Sequence, residues 1–401
     1  MQKVIFLVDM NAFFISCEMT RNLCLVGKPS AVAGDPKNRS GIILAANYEA
    51  RAFGVKTAMV IYEALKLCPN IHLVPPDHPF YEFKSKQVMD LLSNYSPVVE
   101  QNSIDEAWLD MTGMEGLFGS PLESSEKIMN EIKDTLGLWC SIGISENKFL
   151  SKMASELKKP LGITELWKHD IPTKLWPLSV KSMYGIGKKT ADKLNQLGIQ
   201  TIGELAKFDR RHLVKTLGKY GDEIHLHANG HDTSPIKPHM SGEMKSIGRS
   251  TTLSHDVNDI EKAKLVLLEL TDDIGMTARK YGKKGRTIHI TLKYTNFKVI
   301  TRQTTISPTC ATNDIYQAGC ALLEKNWNRF RPIRLIGISI SGFDENYREG
   351  QLSLFDLWED NIKDDKFERI DRAMDKIRTK HGTNKISRAA LVQKKLSNSK
   401  D

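Results

Sequence analysis

The chain of 401 residues holds six cysteines, Cys17, Cys24, Cys68, Cys140, Cys310 and Cys320, and they form no CxxC pair and no zinc spacing. That excludes a disulfide framework and leaves the expectation of reduced, mostly buried thiols in a cytoplasm. No apolar stretch reaches the roughly 20 residues that cross a bilayer, so no membrane partner is expected. Met1-Gln2-Lys3 runs straight into a strand-like segment without an apolar leader or small-residue cleavage site, so no signal peptide is expected either. Internal repeats are lacking. Acidic residues are missing from 279 to 302, where Arg279, Lys280, Lys283, Lys284, Arg286, Lys293, Lys298 and Arg302 place eight positive charges. A net charge of +9 is too modest to argue for nucleic acid. An exposed basic run of that kind does so better, because it attracts a polyanion and releases its counterions.

What is present reads as a globular α/β chain of two to four domains, with 40% hydrophobic and 26% charged residues. Strand-like runs lie at Val4–Val8, Ala31–Ala33, Ile42–Ala45, Ala107–Met111 and Ser141–Ile144. Helical spacing follows the breaker Pro75-Pro76-Asp77-His78-Pro79, with Tyr81, Val88, Leu91, Leu92 and Tyr95, and recurs over Ser124–Leu136. Residues 167–231 are short helical pieces broken by glycines. The polar joint 232–243, with two prolines and little to bury, reads as a linker. Mixed character returns at 244–345, with helices over Leu265–Tyr281 and Asp314–Arg329 and strands over Thr287–Tyr294 and Leu335–Ile340. The polar tail 346–401 has one amphipathic stretch, Phe367, Ile370, Met374 and Ile377.

The chemistry concentrates in Ser103-Ile104-Asp105-Glu106-Ala107. Two adjacent acids lead into a strand, and a third, Asp9, closes the run Val4–Val8. If those strands pair, the three acids converge. Two carboxylates about 4 Å apart repel by roughly 4 kcal/mol at an effective dielectric near 20, so such a cluster stays ionised around a divalent cation. Oxygen-only ligands suit magnesium, which takes one or two carboxylates plus substrate phosphates, as in phosphoryl or nucleotidyl transfer. The plainer reading of Asp9 is a helix N-cap before Asn11-Ala12-Phe13-Phe14.

Other motifs carry two readings each. Tyr48 and Arg51 share a helical face and suit phosphate, or open an ordinary solvated helix. Lys159, at a helix end before Pro160, complements the helix dipole or reaches a triphosphate. Gly185-Ile186-Gly187-Lys188-Lys189 lies between helices without a preceding strand. It is therefore no dinucleotide fingerprint but a hairpin whose backbone N–H groups approach DNA phosphates. His225, His227 and His231 lack cysteine or acidic partners at zinc spacing. Gln351, Leu352, Leu354 and Phe355 either pack on the preceding domain or form a docking peptide.

In this order, these segments resemble the Y-family of DNA polymerases over residues 3–345 and part of the tail, on the side of its bacterial polymerase IV and UmuC-like branches from Gram-positive bacteria. Asn47-Tyr48-Glu49-Ala50-Arg51 and Ser103–Ala107 are the most specific matches. The resemblance implies an α/β multidomain fold: a ferredoxin-like palm (1–10 and 77–166), fingers (11–76), a helical thumb (167–231), a linker (232–243) and an α+β little finger (244–345). It implies low-fidelity, template-directed DNA synthesis across damaged template, on primer-template DNA with deoxynucleoside triphosphates. Asp9, Asp105, Glu106 and the Met10 carbonyl would hold two Mg2+ ions. Phe14 would exclude a ribose 2′-hydroxyl, and Tyr48, Arg51 and Lys159 would bind the triphosphate. Gly185, Gly187, Lys188, Lys189, Lys283, Lys284 and Arg286 would grip DNA, and Gln351–Phe355 would dock on the replicative sliding clamp. A monomer is expected. Asn11 and Ala45 depart from residues common in relatives. The rivals are a polymerase-shaped accessory without activity and a two-metal nuclease or cyclase.

Overall fold

A computed structural model of the chain describes residues 3–35, 41–238, 244–343, 360–383 and 385–392. Two compact units result, one from the described residues up to 238 and one from 244 onward. Gln351, Leu352, Leu354 and Phe355 lie outside the described residues.

In chain order the first unit has strands β1 (Ile5–Met10), β2 (Ser30–Ala33), β3 (Ile43–Ala46), β4 (His72–Val74), β5 (Val99–Gln101), β6 (Glu106–Asp110), β7 (Cys140–Ser145) and β8 (Ile163–Glu165). Every residue of β1 is buried, which places it mid-sheet. The order is β5-β6-β1-β7-β8, with β6 and β7 both antiparallel to β1 and β8 parallel to β7. Alternation along β1 serves two layers. Phe6, Val8 and Met10 pack with Tyr81, Val88, Leu92, Ile128 and Ile132 of the helices His78–Leu92 and Pro121–Leu136. Ile5 and Leu7 face the other way with Trp108, and Asp9 follows them by parity. Helix Lys148–Leu157 covers that second face. It comes close because Gly143, opposite Leu7, has no side chain: a Cβ there would lie 2.0 Å from the Ser151 carbonyl oxygen.

The small sheet β3-β2-β4 packs around Ala31, Ala33, Ala46, Ala50 and Ala64. Helices Lys188–Gln196, Ile202–Lys207, Arg210–Leu217 and Lys219–Ala228 share a core with Phe149, Leu150 and Met153 of helix Lys148–Leu157. The described part of the expected linker is not idle. The Asp232 carboxylate accepts from the Phe149 N–H (3.0 Å), Ile236 packs on Ile5, Leu7 and Trp108, and the Lys237 N–H donates to Glu100 (2.7 Å). One isoleucine and two backbone bonds lay this segment along the first unit, where composition suggested little to bury.

The second unit is a four-stranded antiparallel sheet of β9 (Ser246–Val257), β10 (Gly285–Tyr294), β11 (Val299–Thr309) and β12 (Ile333–Ser341), in the order β11-β10-β12-β9. Ile288, Ile290, Leu292, Ile336, Ile338 and Ile340 form a core with residues of the helices Ile260–Lys280 and Thr312–Asn326. The long edge strands β9 and β11 escaped the sequence reading because serine, threonine and charged residues dominate them. The tail forms helix Asp360–His381, but it does not bury the apolar stripe that its spacing picked out. Phe367, Ile370 and Ile377 are exposed, while Asp371 and Arg378 are buried. Asp371 accepts from Arg279 (3.0 Å), from the Thr312 N–H (2.8 Å) and from Arg388. Arg378 donates to Asp272 (2.6 Å), which also accepts from Arg388 (3.0 Å).

Truncating one member of such a network strands a buried charge. Asp371→Ala is expected to lower the stability of the second unit by about 3 kcal/mol, read as a shift in its denaturant midpoint.

Candidate active site

Asp9 and Glu106 are opposite one another in the β1–β6 pairing. Close approach of helix Lys148–Leu157 at Gly143 brings the Lys152 ammonium between them, 2.8 Å from Asp9 Oδ2 and 2.5 Å from Glu106 Oε2. Lys152 also meets Glu156 at 3.0 Å, and Lys159 joins Asp9 (2.9 Å) and Glu156 (2.8 Å). Burial alone would raise the Asp9 carboxyl pKa; the charges and hydrogen bonds of Lys152 and Lys159 outweigh burial and hold it below the usual carboxylate range. Burial likewise opposes the charge on Lys152, and Asp9 and Glu106 more than compensate, so its pKa is raised. A carboxylate with a depressed pKa contributes its stability above its unfolded pKa and loses it as pH falls through the folded value. This coupling therefore holds through neutral pH and fails only in acid.

Asp105 is placed differently. Its backbone carbonyl accepts from the Met10 N–H (2.8 Å), and its carboxylate accepts from the Ser103 hydroxyl (2.5 Å). It lines the same cleft, of about 460 Å³, as Asp9, Met10, Phe14, Tyr48, Arg51, Glu106 and Lys159. Two of the three acids thus meet on one cation, and the third opens onto their cleft. Asp9 is no helix cap: it lies inside β1, and helix Phe13–Arg21 starts only after Ala12, whose φ is +48°.

Among the described residues no three His, Cys, Asp or Glu side chains are gathered as a ready metal cage. The donor set nevertheless fits a hard divalent cation. Two carboxylate oxygens already converge on a positive charge, the Lys152 ammonium, and magnesium needs only one or two such ligands when phosphates complete its shell.

The Phe14 ring is held by stacking on Tyr81 (4.5 Å between centroids) and by an edge contact with His78 (5.9 Å); the Tyr81 hydroxyl donates to Glu18 (2.7 Å). Arg51 lies 4.9 Å over the Tyr48 ring, and its Nε donates to the Ala46 carbonyl (2.9 Å), which leaves the rest of the fork for another acceptor. Asn11 is a buried clasp rather than a ligand. Its Oδ1 accepts from the Leu161 N–H (2.9 Å) and its Nδ2 donates to Ser141 (3.0 Å), fastening the turn next to Lys159. Lys152, Glu156 and Ser103 were missed as site residues. Lys152, Glu156 and Lys159 share a helical i, i+4, i+7 spacing that signals one face.

Away from the cleft, Gly185, Gly187, Lys188 and Lys189 are exposed, and Gly187 precedes helix Lys188–Gln196 without a side-chain cap. The basic run is not a uniformly open face. Arg279 is buried in the ion network, and Lys284 pairs with Glu368 at 2.8 Å. Burial would raise the Glu368 pKa, but hydrogen bonds from Lys284 and Arg372 hold it down to about 2. Lys283 and Arg286 flank that pair, and each has interactions of its own.

Known proteins are similar to this chain. Residues 8–156 match the impB/mucB/samB family, residues 244–354 its C-terminal domain, and residues 168–199 the helix-hairpin-helix motif of the same family. A DNA polymerase IV of Clostridium kluyveri is 61% identical over 98% of this chain and 99% of its own length. The chain belongs to the Y-family of DNA polymerases. A second Y-family relative, the DNA polymerase IV of Alkaliphilus oremlandii, is 60% identical over 98% of this chain and 100% of its own. Among solved structures, a Y-family DNA polymerase chimera of Dbh and Dpo4 superimposes with a TM-score of 0.75 at 26% identity, covering 85% of this chain and 99% of that one.

Removing the resident cation tests the electrostatics directly. In buffer free of divalent ions, Lys152→Met is expected to cost about 3 kcal/mol of stability in urea, because Asp9 and Glu106 then face one another with one counter-charge fewer. Millimolar Mg2+ is expected to narrow that gap.

Proposed function

We propose that this Y-family chain copies DNA by joining deoxynucleotides to a primer end in the cleft between Asp9, Asp105 and Glu106, and that it does so across damaged template. It is a DNA-directed DNA polymerase of the translesion type, acting on template DNA and deoxynucleoside triphosphates with a divalent metal. The observation that supports the site assignment is the meeting of Asp9 and Glu106 on one cation, inside a cleft that Tyr48, Arg51 and Lys159 also line. Three acids in one cleft weigh against an accessory without activity.

Asp9, Asp105, Glu106 and the Met10 carbonyl would hold two Mg2+ ions. When bound, these ions lower the pKa of the primer 3′-hydroxyl and neutralise the triphosphate. Tyr48, Arg51 and Lys159, the last released from Asp9, would meet the β and γ phosphates and stabilise the charge that develops on the leaving pyrophosphate. Phe14, stacked on Tyr81, would meet a ribose 2′-hydroxyl and so select deoxyribose. The small side chain of Ala45, which lines the cleft, leaves room above the nascent pair for a distorted template base, which relaxes the geometric check on fidelity.

The residues up to Met10 and 77–166 act as palm, 11–76 as fingers, 167–231 as thumb and 244–345 as little finger. Gly185, Gly187, Lys188 and Lys189 bind the DNA backbone through open N–H groups and charge, and Lys283, Lys284 and Arg286 add a second contact once Lys284 exchanges Glu368 for phosphate. Gln351, Leu352, Leu354 and Phe355 dock on the sliding clamp. The enzyme works as a cytoplasmic monomer. Among the described residues no helix is long and apolar enough to cross a membrane.

Primer extension tests the core of this reading. Asp105→Ala is expected to remove detectable extension while primer-template affinity in a gel-shift assay stays within about twofold; substantial extension by the variant would reject the assignment. Phe14→Ala is expected to admit ribonucleotides, seen as extension with ribonucleoside triphosphates alone, and an unchanged sugar preference would take Phe14 out of that role.

A further inference from the structure

At one end of the four-stranded sheet, the hairpin joining β10 to β11 meets the loop that leads into β12: the Thr295 N–H donates to the Pro332 carbonyl (3.3 Å). Residues 293–302 and 325–334, which build this tip, contain no Asp or Glu. Among the described residues Lys298, Arg329 and Arg331 make no salt bridge. The nearby acids have partners: Asp256 makes an interaction of its own, and Glu324 feels the charge of Arg329 beside its bond to Lys264. Asp259 accepts from the N–H groups of Glu261 and Lys262, and Glu324 pairs with Lys264 at 2.7 Å.

Within this cationic rim stands an apolar feature that folding does not require. Phe330 is 95% exposed, and Phe297 is 61% exposed. The loop that carries Phe330 is held in place. Trp327 is buried and its indole N–H donates to the Arg331 carbonyl (3.0 Å), the Arg331 N–H returns to the Asn328 carbonyl (2.9 Å), and the Phe330 N–H donates to Asn328 Oδ1 (3.1 Å). Phe297 takes a left-handed φ of +63°, and its ring receives Lys293 Nζ at 4.6 Å and Arg334 Cζ at 5.0 Å. The Phe297 face is thus shared with cations, whereas the Phe330 ring is held out bare.

We propose that this tip is a binding site for single-stranded DNA, in which a splayed base stacks on Phe330 while Lys298, Arg329 and Arg331 take the flanking phosphates. A solvent-facing ring on a hydrogen-bonded loop, among cations that make no salt bridge, has the two elements that single strands require, a stacking surface and counter-charge. A duplex offers its backbone to the cations but keeps its base faces covered, so it leaves Phe330 unused. The site lies at the opposite end of β10 from Lys283, Lys284 and Arg286 and is independent of the catalytic assignment.

The test uses the full chain, a fluorescein-labelled 16-nucleotide oligo-dT and a blunt duplex of equal length, read by anisotropy at low salt. Phe330→Ala is expected to weaken oligo-dT binding about tenfold. Duplex affinity, the thermal midpoint and extension on a primer-template with a short overhang should be unchanged. Arg331→Ala should weaken oligo-dT binding and flatten its salt dependence. Equal losses on both DNAs, or no loss on oligo-dT, would overturn the proposal. So would wild-type self-association in sedimentation that Phe330→Ala abolishes, which would assign the patch to a second copy of the chain. Failure of the catalytic reading would show instead as extension retained by Asp105→Ala, with this stacking effect intact.

Discussion

The candidate site depends on one electrostatic fact: two carboxylates from neighbouring strands are held side by side because a lysine from the covering helix stands between them. Asp9 and Glu106 are brought opposite by strand pairing, and that geometry is repulsive without a cation. The helix reaches them because Gly143 leaves its backbone nothing to clear. A backbone detail on one strand therefore decides where a charge sits on another element. The same helix leads into the turn carrying Lys159, so one helix and the turn after it supply both lysines that meet Asp9.

The central strands and their acids were legible because their signals are local. β1 and β6 are apolar runs ended or begun by acids, and Tyr48 and Arg51 lie one helical turn apart. Lys152 was not singled out, since its meaning comes from a helix packing onto a sheet, and no one-dimensional pattern states which lysine of a basic helix turns inward. Asn11 was read only as the loss of a charge. Its part as a clasp needs Leu161 and Ser141, which lie 150 and 130 residues away. The tail helix misled for a related reason. Apolar spacing through Phe367, Ile370, Met374 and Ile377 suggested the buried face, yet Asp371 and Arg378 face inward because Arg279, Arg388 and Asp272 await them.

That network gives the second unit a different kind of seam from the first. An apolar interface tolerates sliding, since hydrophobic contact has little directional preference. Paired arginines and aspartates with fixed donor geometry do not. The helix Asp360–His381 and the residues after it are thereby registered on helix Ile260–Lys280 to within a hydrogen-bond length.

The alternation along β1 has a further consequence for how the gene can change. Odd positions face the helix with Lys152, and even positions face the main core. Deleting or inserting a single codon within this strand would turn Asp9 into the oily layer and swing Val8 or Met10 into its place. Substitutions on this strand can be sampled one at a time, but length changes have to come in pairs or fall beyond Phe14.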